Sequence, residues 1–257
     1  MTKSLYFECK SGISGDMTVA ALLDLGADRE KLEKALESMN LNNEFSYEIK
    51  DVSINSIKAT DFDVIIPHEH HHHHHHGEEH HHHHTHRNLD DVNKIIDSAQ
   101  ITDNAKETAK KVFRIVAEAE AAVHNKDIKD VHFHEVGAID SIADIVSFAV
   151  LFDDINPDKV YVSTLTEGQG FVECQHGTLP VPAPAVCKIL EKYKLPVKFT
   201  DNEGEMVTPT GAAIAAAVYS GEKLPEEFLI NKTGYGAGKR PYKNPLLRIM
   251  LIEEKGE

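Results

Sequence analysis

The sequence predicts an α/β or α+β body, a mixed sheet with flanking helices, interrupted by a histidine-rich loop. Three observations carry this reading. Short apolar segments of strand character alternate with segments whose apolar residues recur at helical spacing. Of the 257 residues, 41% are hydrophobic and 27% charged, which is enough to bury a core. Finally, 14 of the 18 histidines fall within the 19 residues from His68 to His86, a stretch without core-forming residues. The expected organisation is one α/β body, of one or two subdomains, made from residues 1–67 and 87–257, with the loop at 68–86 set between them.

The elements follow in order. Ser4–Cys9 reads as a strand, Ser11–Asp16 as a turn, and Met17–Leu25 as a helix stopped by Gly26. Asp28 caps a second helix with Leu32, Leu36 and Met39 on one face. Phe45–Lys50 and Lys58–Ile66 read as strands paired around a turn-like Asp51–Ile57 stretch, so the histidine loop hangs from a strand end at Pro67. Helices are expected at Leu89–Ser98 and Asp103–His124, a strand at Val131–His134 and a helix at Ile139–Phe152. Strands at Val160–Leu165, Phe171–Cys174 and Val197–Thr200 alternate with helices at Ala183–Tyr193 and Ala212–Tyr219, and Pro245–Ile252 closes as a strand.

Composition excludes several classes. The longest apolar run, Ala212–Val218, is far short of the ~18 residues of a bilayer span. A net charge of −15 repels nucleic acid phosphates. The three cysteines, Cys9, Cys174 and Cys187, form no close pair, which suits a reducing cytoplasm. No nucleic acid and no membrane partner is expected, and self-association is left open.

The histidines of the tract, His68, His70, His71, His72, His73, His74, His75, His76, His80, His81, His82, His83, His84 and His86, offer neutral imidazoles to Ni, Zn, Cu or Co near pH 7. Such a sequence cannot pack a core and is expected to be a mobile metal-binding loop. Beyond it, His132 and His134 share one face of an extended segment, with Glu135 beside them, and supply further metal ligands or simply an exposed face. In the next helix Asp140, Asp144 and Ser147 form a narrow polar stripe on an otherwise apolar surface. A buried carboxylate without a partner costs several kcal/mol, so the stripe should face water, a cation or a polar site.

Gly12, Ser14, Gly15 and Asp16 join a strand to a helix, and Thr208, Thr210 and Gly211 open another behind Pro209. Helix openings of this kind bind anions, although a tight turn and an ordinary cap explain them equally well. Gly234–Arg240 combines glycines with two cations and reads as a phosphate grip or a flexible loop. Glu167-Gly-Gln-Gly170 and His176-Gly177 add polar residues around a hairpin. Together these describe a pocket for an anionic ligand beside acidic and histidine side chains.

Taken in order, Gly12-Ile-Ser-Gly-Asp-Met17, the histidine loop, His132-Phe-His-Glu-Val-Gly-Ala-Ile-Asp-Ser-Ile-Ala-Asp144, Gly168-Gln-Gly170 with His176-Gly-Thr-Leu-Pro-Val-Pro182, and Thr208-Pro-Thr-Gly-Ala212 carry a specific pattern. Over nearly the whole chain it resembles the nickel-insertion proteins, or cyclometallases, of nickel-pincer nucleotide biosynthesis. The resemblance implies a nickel-inserting enzyme of lyase or chelatase type. Its substrate is a pyridinium mononucleotide with two thiocarboxylates, and its product serves lactate racemase-type enzymes. It also implies CTP, with Mg2+ or Mn2+, bound by a C-terminal portion. The sequence stops at Glu257, where that portion would begin, so an N-terminal component partnered by a CTP-binding component is expected.

Forming a nickel–carbon bond requires loss of a ring proton. Asp16, His132, His134, Glu135, Asp140 and Asp144 are the candidate catalytic residues, and the sequence does not choose the base among them. Gly12–Gly15 or Thr208–Gly211 would take the phosphate, and the tract would feed nickel. A non-enzymatic nickel store or chaperone and a metal-dependent nucleotide hydrolase are the rival classes.

Overall fold

Alternate residues of the first strand, β1 (Lys3–Glu8), send Leu5 and Phe7 to one face, where both are wholly buried, and Ser4 and Tyr6 to the other. The computed structural model describes residues 2–41, 43–67, 87–131, 133, 139–174 and 177–254. Within them β1 lies in a six-stranded sheet, antiparallel to β10 (Leu246–Glu254) and parallel to the edge strand β4 (Lys159–Val162). On its other side β10 pairs antiparallel with β9 (Phe228–Ala237). The hairpin of β2 (Ser46–Ile54) and β3 (Ile57–Ile65) joins β9 through the parallel pair Thr60 and Gly236. The predicted mixed sheet with flanking helices is therefore the architecture found.

The helices stack against one another and on the sheet. Helix α1 (Gly15–Leu25) is apolar nearly all round because it lies between strands β3, β9 and β10 and helix α5 (Ile139–Ile155). Helix α5 also packs on α2 (Arg29–Ser38) and α4 (Asp103–His124), and α4 packs on α3 (Leu89–Ser98), α6 (Pro184–Tyr193) and α7 (Pro209–Val218). The caps are those expected: Asp28 accepts the Glu30 and Lys31 amides, and Gly26 ends α1 at φ 101°. Two small sheets complete the fold, β5 (Leu165–Gln169) with β8 (Val197–Glu203) and β6 (Phe171–Cys174) with β7 (Gly177–Pro180). No helix among the described residues is long and apolar enough to cross a membrane.

Four expectations change. Asp51–Ile57 is not a turn: β2 and β3 run on to a two-residue turn, Asn55–Ser56, both at positive φ as tight hairpins demand. Val160–Leu165 is not one strand, because Leu165 turns its amide to Pro196 at 2.9 Å and leaves the main sheet. Val131 and Phe133 lie outside any strand; the Phe133 amide bonds Arg87 at 3.2 Å, and both side chains are buried. Gly234–Gly238 is not a free loop. Gly234 and Gly236 belong to β9, and a Cβ on Gly236 would lie 1.9 Å from the Met17 carbonyl oxygen. Close approach of α1 is what these glycines provide. Replacing Gly236 by Ala should therefore cost about 1–3 kcal/mol or more by overpacking, measured as a lower urea midpoint. The histidine tract at 68–86 lies outside the described residues.

Candidate functional site

The turn after β1 carries Gly12 at φ 83°, and a Cβ there would lie 2.0 Å from the Met206 carbonyl oxygen. This approach lets the Ile13 amide donate to Met206 at 3.0 Å while the Thr208 amide donates to Ile13 at 3.1 Å. The openings of α1 and α7 are thereby stitched side by side. Thr208 caps α7 by accepting the Gly211 amide at 3.1 Å, and a Cβ on Gly211 would lie 2.1 Å from the Ile13 oxygen. Ser14 precedes α1, bonds the Asp16 carboxylate through its hydroxyl and accepts the Thr18 hydroxyl on its carbonyl at 2.7 Å.

Helix α5 closes the third side. A Cβ on Gly15 would lie 2.5 Å from Oδ2 of Asp144, and the Asp16 amide donates to that carboxylate. The group that occupies the start of α1 is thus a side-chain carboxyl of the protein itself. Its other oxygen, Oδ1, is buried with no hydrogen-bond partner among the described residues. Burial, then the neighbouring charges of Asp16 and Asp140, pushes the Asp144 carboxyl well above the usual carboxylate range. Asp140, one turn earlier, is also raised by burial, against the pull of the Ser141 amide at 2.8 Å and of Lys239. The third member of the stripe departs from expectation: Ser147 is wholly buried, and its hydroxyl has no hydrogen-bond partner among the described residues.

These residues line one end of a cleft, a space of about 260 Å3 bounded by Ser14, Asp16, Val64, Asp140, Asp144, Thr208, Thr210 and Lys239. The other end, about 160 Å3, is bounded by Ser11, Ser14, Asp16, Glu205, Thr208, Lys239, Arg240 and Tyr242. Ser14, Asp16, Thr208 and Lys239 belong to both. Lys239 lies 3.9 Å from Asp16 and pairs with Asp63; burial lowers its pKa, but Asp63, Asp16 and Asp61 outweigh that and raise it. Arg240 pairs with Glu205 at 3.0 Å, and the Tyr242 hydroxyl donates to the Glu205 carbonyl at 2.5 Å. Asp140 and Asp144 thus border one end alone and Arg240, paired with Glu205, the other alone, while Asp16 and Lys239 border both. This bias suits a ligand whose two ends differ in charge.

The structure brings together Gly12, Ser14, Gly15, Asp16, Asp140, Asp144, Thr208, Thr210 and Gly211, drawn from three distant stretches of chain. His132, His134 and Glu135, like the tract, lie outside the described residues. Among the described residues no three His, Cys, Asp or Glu side chains converge as a metal ligand set. Sequence reasoning missed Asp61, Asp63 and Glu205, which carry no local signal. Asp61 and Asp63 reach the site through the pairing of β3 with β9. The cations Lys239 and Arg240 were legible beside their glycines.

Known proteins resemble this chain closely. The family described as nickel insertion protein matches residues 5–257. The pyridinium-3,5-bisthiocarboxylic acid mononucleotide nickel insertion protein of Alkaliphilus metalliredigens is 49% identical over 259 residues, 99% of this chain and 61% of the relative. The proteins of the same description from Acetivibrio thermocellus and Akkermansia muciniphila are 49% and 41% identical, over 92% and 99% of this chain and 56% and 61% of theirs. The chain spans about three-fifths of the length of these curated relatives. No solved structure matches it.

Proposed function

This chain belongs to the nickel insertion protein family, and from that premise we propose that its cleft is where Ni2+ enters a pyridinium-3,5-bisthiocarboxylic acid mononucleotide. The observation that carries the proposal is a cleft bordered throughout by Asp16 and Lys239, with Asp140 and Asp144 at one end and Arg240 at the other. With Ni2+ on its two thiocarboxylates, the mononucleotide has the matching polarity, a cationic ring end and an anionic phosphate. The phosphate goes to Ser11, Thr208 and the two cations, and the nickel-bearing ring to the carboxylates.

In that pose the two substrate sulfurs hold nickel over the ring carbon between them. The proton on that carbon passes to Asp140, which is partly exposed in the cleft and made more basic by burial. The electron pair left on carbon forms the bond to nickel, which stays divalent. Asp144, whose buried Oδ1 has no partner among the described residues, adds a second carboxyl beside that position. Holding metal, ring and base together removes the entropic cost of their encounter. The tract at 68–86, with His132 and His134, gathers nickel from solution, in keeping with a cytoplasmic protein whose 1–67 and 87–257 segments form one body.

CTP dependence, through the part of the relatives this chain does not span, and supply of a lactate racemase-type enzyme belong to the same proposal. Among the described residues no three His, Cys, Asp or Glu side chains form a ligand set for Mg2+ or Mn2+.

The test is incubation of the chain with Ni2+ and the mononucleotide, with and without the remaining portion of the Alkaliphilus metalliredigens relative. Nickel bound to carbon and sulfur in the product supports insertion. Nickel retained on protein beside unchanged nucleotide indicates a store, and cleaved nucleotide a hydrolase. Replacing Asp140 by Asn should slow insertion by about 10²-fold or more, with nucleotide affinity in calorimetry nearly unchanged.

A further inference from the structure

The Glu167–Gly170 segment takes no part in the chemistry above, yet Glu167 is wholly buried. Its Oε1 accepts three backbone amides, from Met206 at 2.6 Å, Gly168 at 2.8 Å and Val207 at 3.2 Å. Oε2 is buried with no hydrogen-bond partner among the described residues. Burial pushes this carboxyl up, and the three amides pull it back. A carboxylate placed at such cost is there for what it holds.

What it holds is the segment against which the cleft is built. The Met206 carbonyl receives the Ile13 amide, and Glu205, the preceding residue, is tied to Arg240 and Tyr242. Val207 leads directly into the α7 cap. One buried oxygen therefore fixes the residue from which the glycine turn, the α7 opening and the cationic wall all take their positions.

We propose that Glu167 is a positioning residue for the cleft: it sets the place of Met206 and Val207 and, through them, of the Gly12–Asp16 turn. Its consequence for ligand binding rests on the proposed function, whereas its effect on the backbone does not. The experiment compares the full chain with E167A, E167M and E167Q by amide hydrogen exchange and by calorimetric titration with the pyridinium bisthiocarboxylic acid mononucleotide. E167M fills the buried volume and removes the acceptor; E167Q keeps a carbonyl oxygen in its place.

In E167A and E167M, exchange at Ile13 and Thr208 should accelerate about tenfold or more, and nucleotide affinity should fall about tenfold, while amides of α4 keep their rates. E167Q should return both quantities to within about threefold of wild type. A merely structural role would move the α4 amides in step with Ile13. Unchanged exchange at Ile13 in E167M, or E167Q behaving as E167M does, overturns the inference. If E167A and E167M fail to fold, E167Q decides: wild-type protection at Ile13 supports the positioning role and its loss overturns it. If the wild type binds no nucleotide but the exchange pattern holds, the ligand reading of the cleft fails and the role of Glu167 stands.

Discussion

Asp144→Asn should make the protein more stable and the insertion reaction about 10²-fold slower or worse. The stability gain follows from the buried Oδ1, which has no partner among the described residues, and from the two carboxylates beside it. A carboxyl raised in the folded state is stabilising while protonated, fully so below the unfolded carboxylate pKa. That contribution is lost as pH rises through the folded value, where the charge must be carried in a poor environment. An amide has no such charge, so the variant should gain on the wild type as pH increases, by about 0.5–2 kcal/mol near neutrality. Urea melts of both proteins at several pH values read the gain directly. Opposite signs for stability and activity would mark a residue kept for function rather than for folding.

Deleting residues 68–86 should remove most of the nickel bound per chain without lowering the thermal midpoint. The tract holds 14 of the 18 histidines. The chain that resumes after it is anchored on its own: Arg87 pairs with Glu44 and accepts the Phe133 amide, and Asn88 caps α3 in a reciprocal box with Asp91. Imidazole binds metal in its neutral form, so uptake by the intact chain should weaken as pH falls through ~6.5, and the deletion should lose that dependence. Equilibrium dialysis with nickel over pH 5.5–8 provides the comparison. Nickel binding that survives the deletion unchanged would remove the tract from the delivery route. Insertion with nickel in excess should tolerate the deletion far better than it tolerates Asp140→Asn.

Much of the site was legible because local rules govern it. Helix openings announce themselves through Ser14 and Thr208, and a polar stripe on an apolar helix singled out Asp140 and Asp144. The sequence could not show that α1 and α5 meet through Gly15, which makes the start of α1 an address for the protein's own carboxylate. Nor could it show why β9 is glycine-rich. Those glycines read as a loop because the helix they admit lies some two hundred residues earlier in the chain. Asp63 and Glu205 were invisible for the same reason: each owes its place to a pairing across the fold, with Lys239 and with Arg240. Chain direction failed at Val160–Leu165, where nothing in the side chains marks the residue at which one sheet is exchanged for another.

The claim that this cleft performs the insertion is tested most directly by the double variant Asp140→Asn, Asp144→Asn. It would be supplied with excess Ni2+ and the pyridinium bisthiocarboxylic acid mononucleotide carrying deuterium between its two thiocarboxylates, under whichever conditions give product with the wild type. Mass spectrometry of the nucleotide follows nickel gained and deuterium lost together. The expected result is that the wild type exchanges deuterium for nickel while the double variant binds the nucleotide but returns it with deuterium intact and no nickel. Undiminished nickel gain by the folded double variant would contradict the assignment and place the reaction elsewhere.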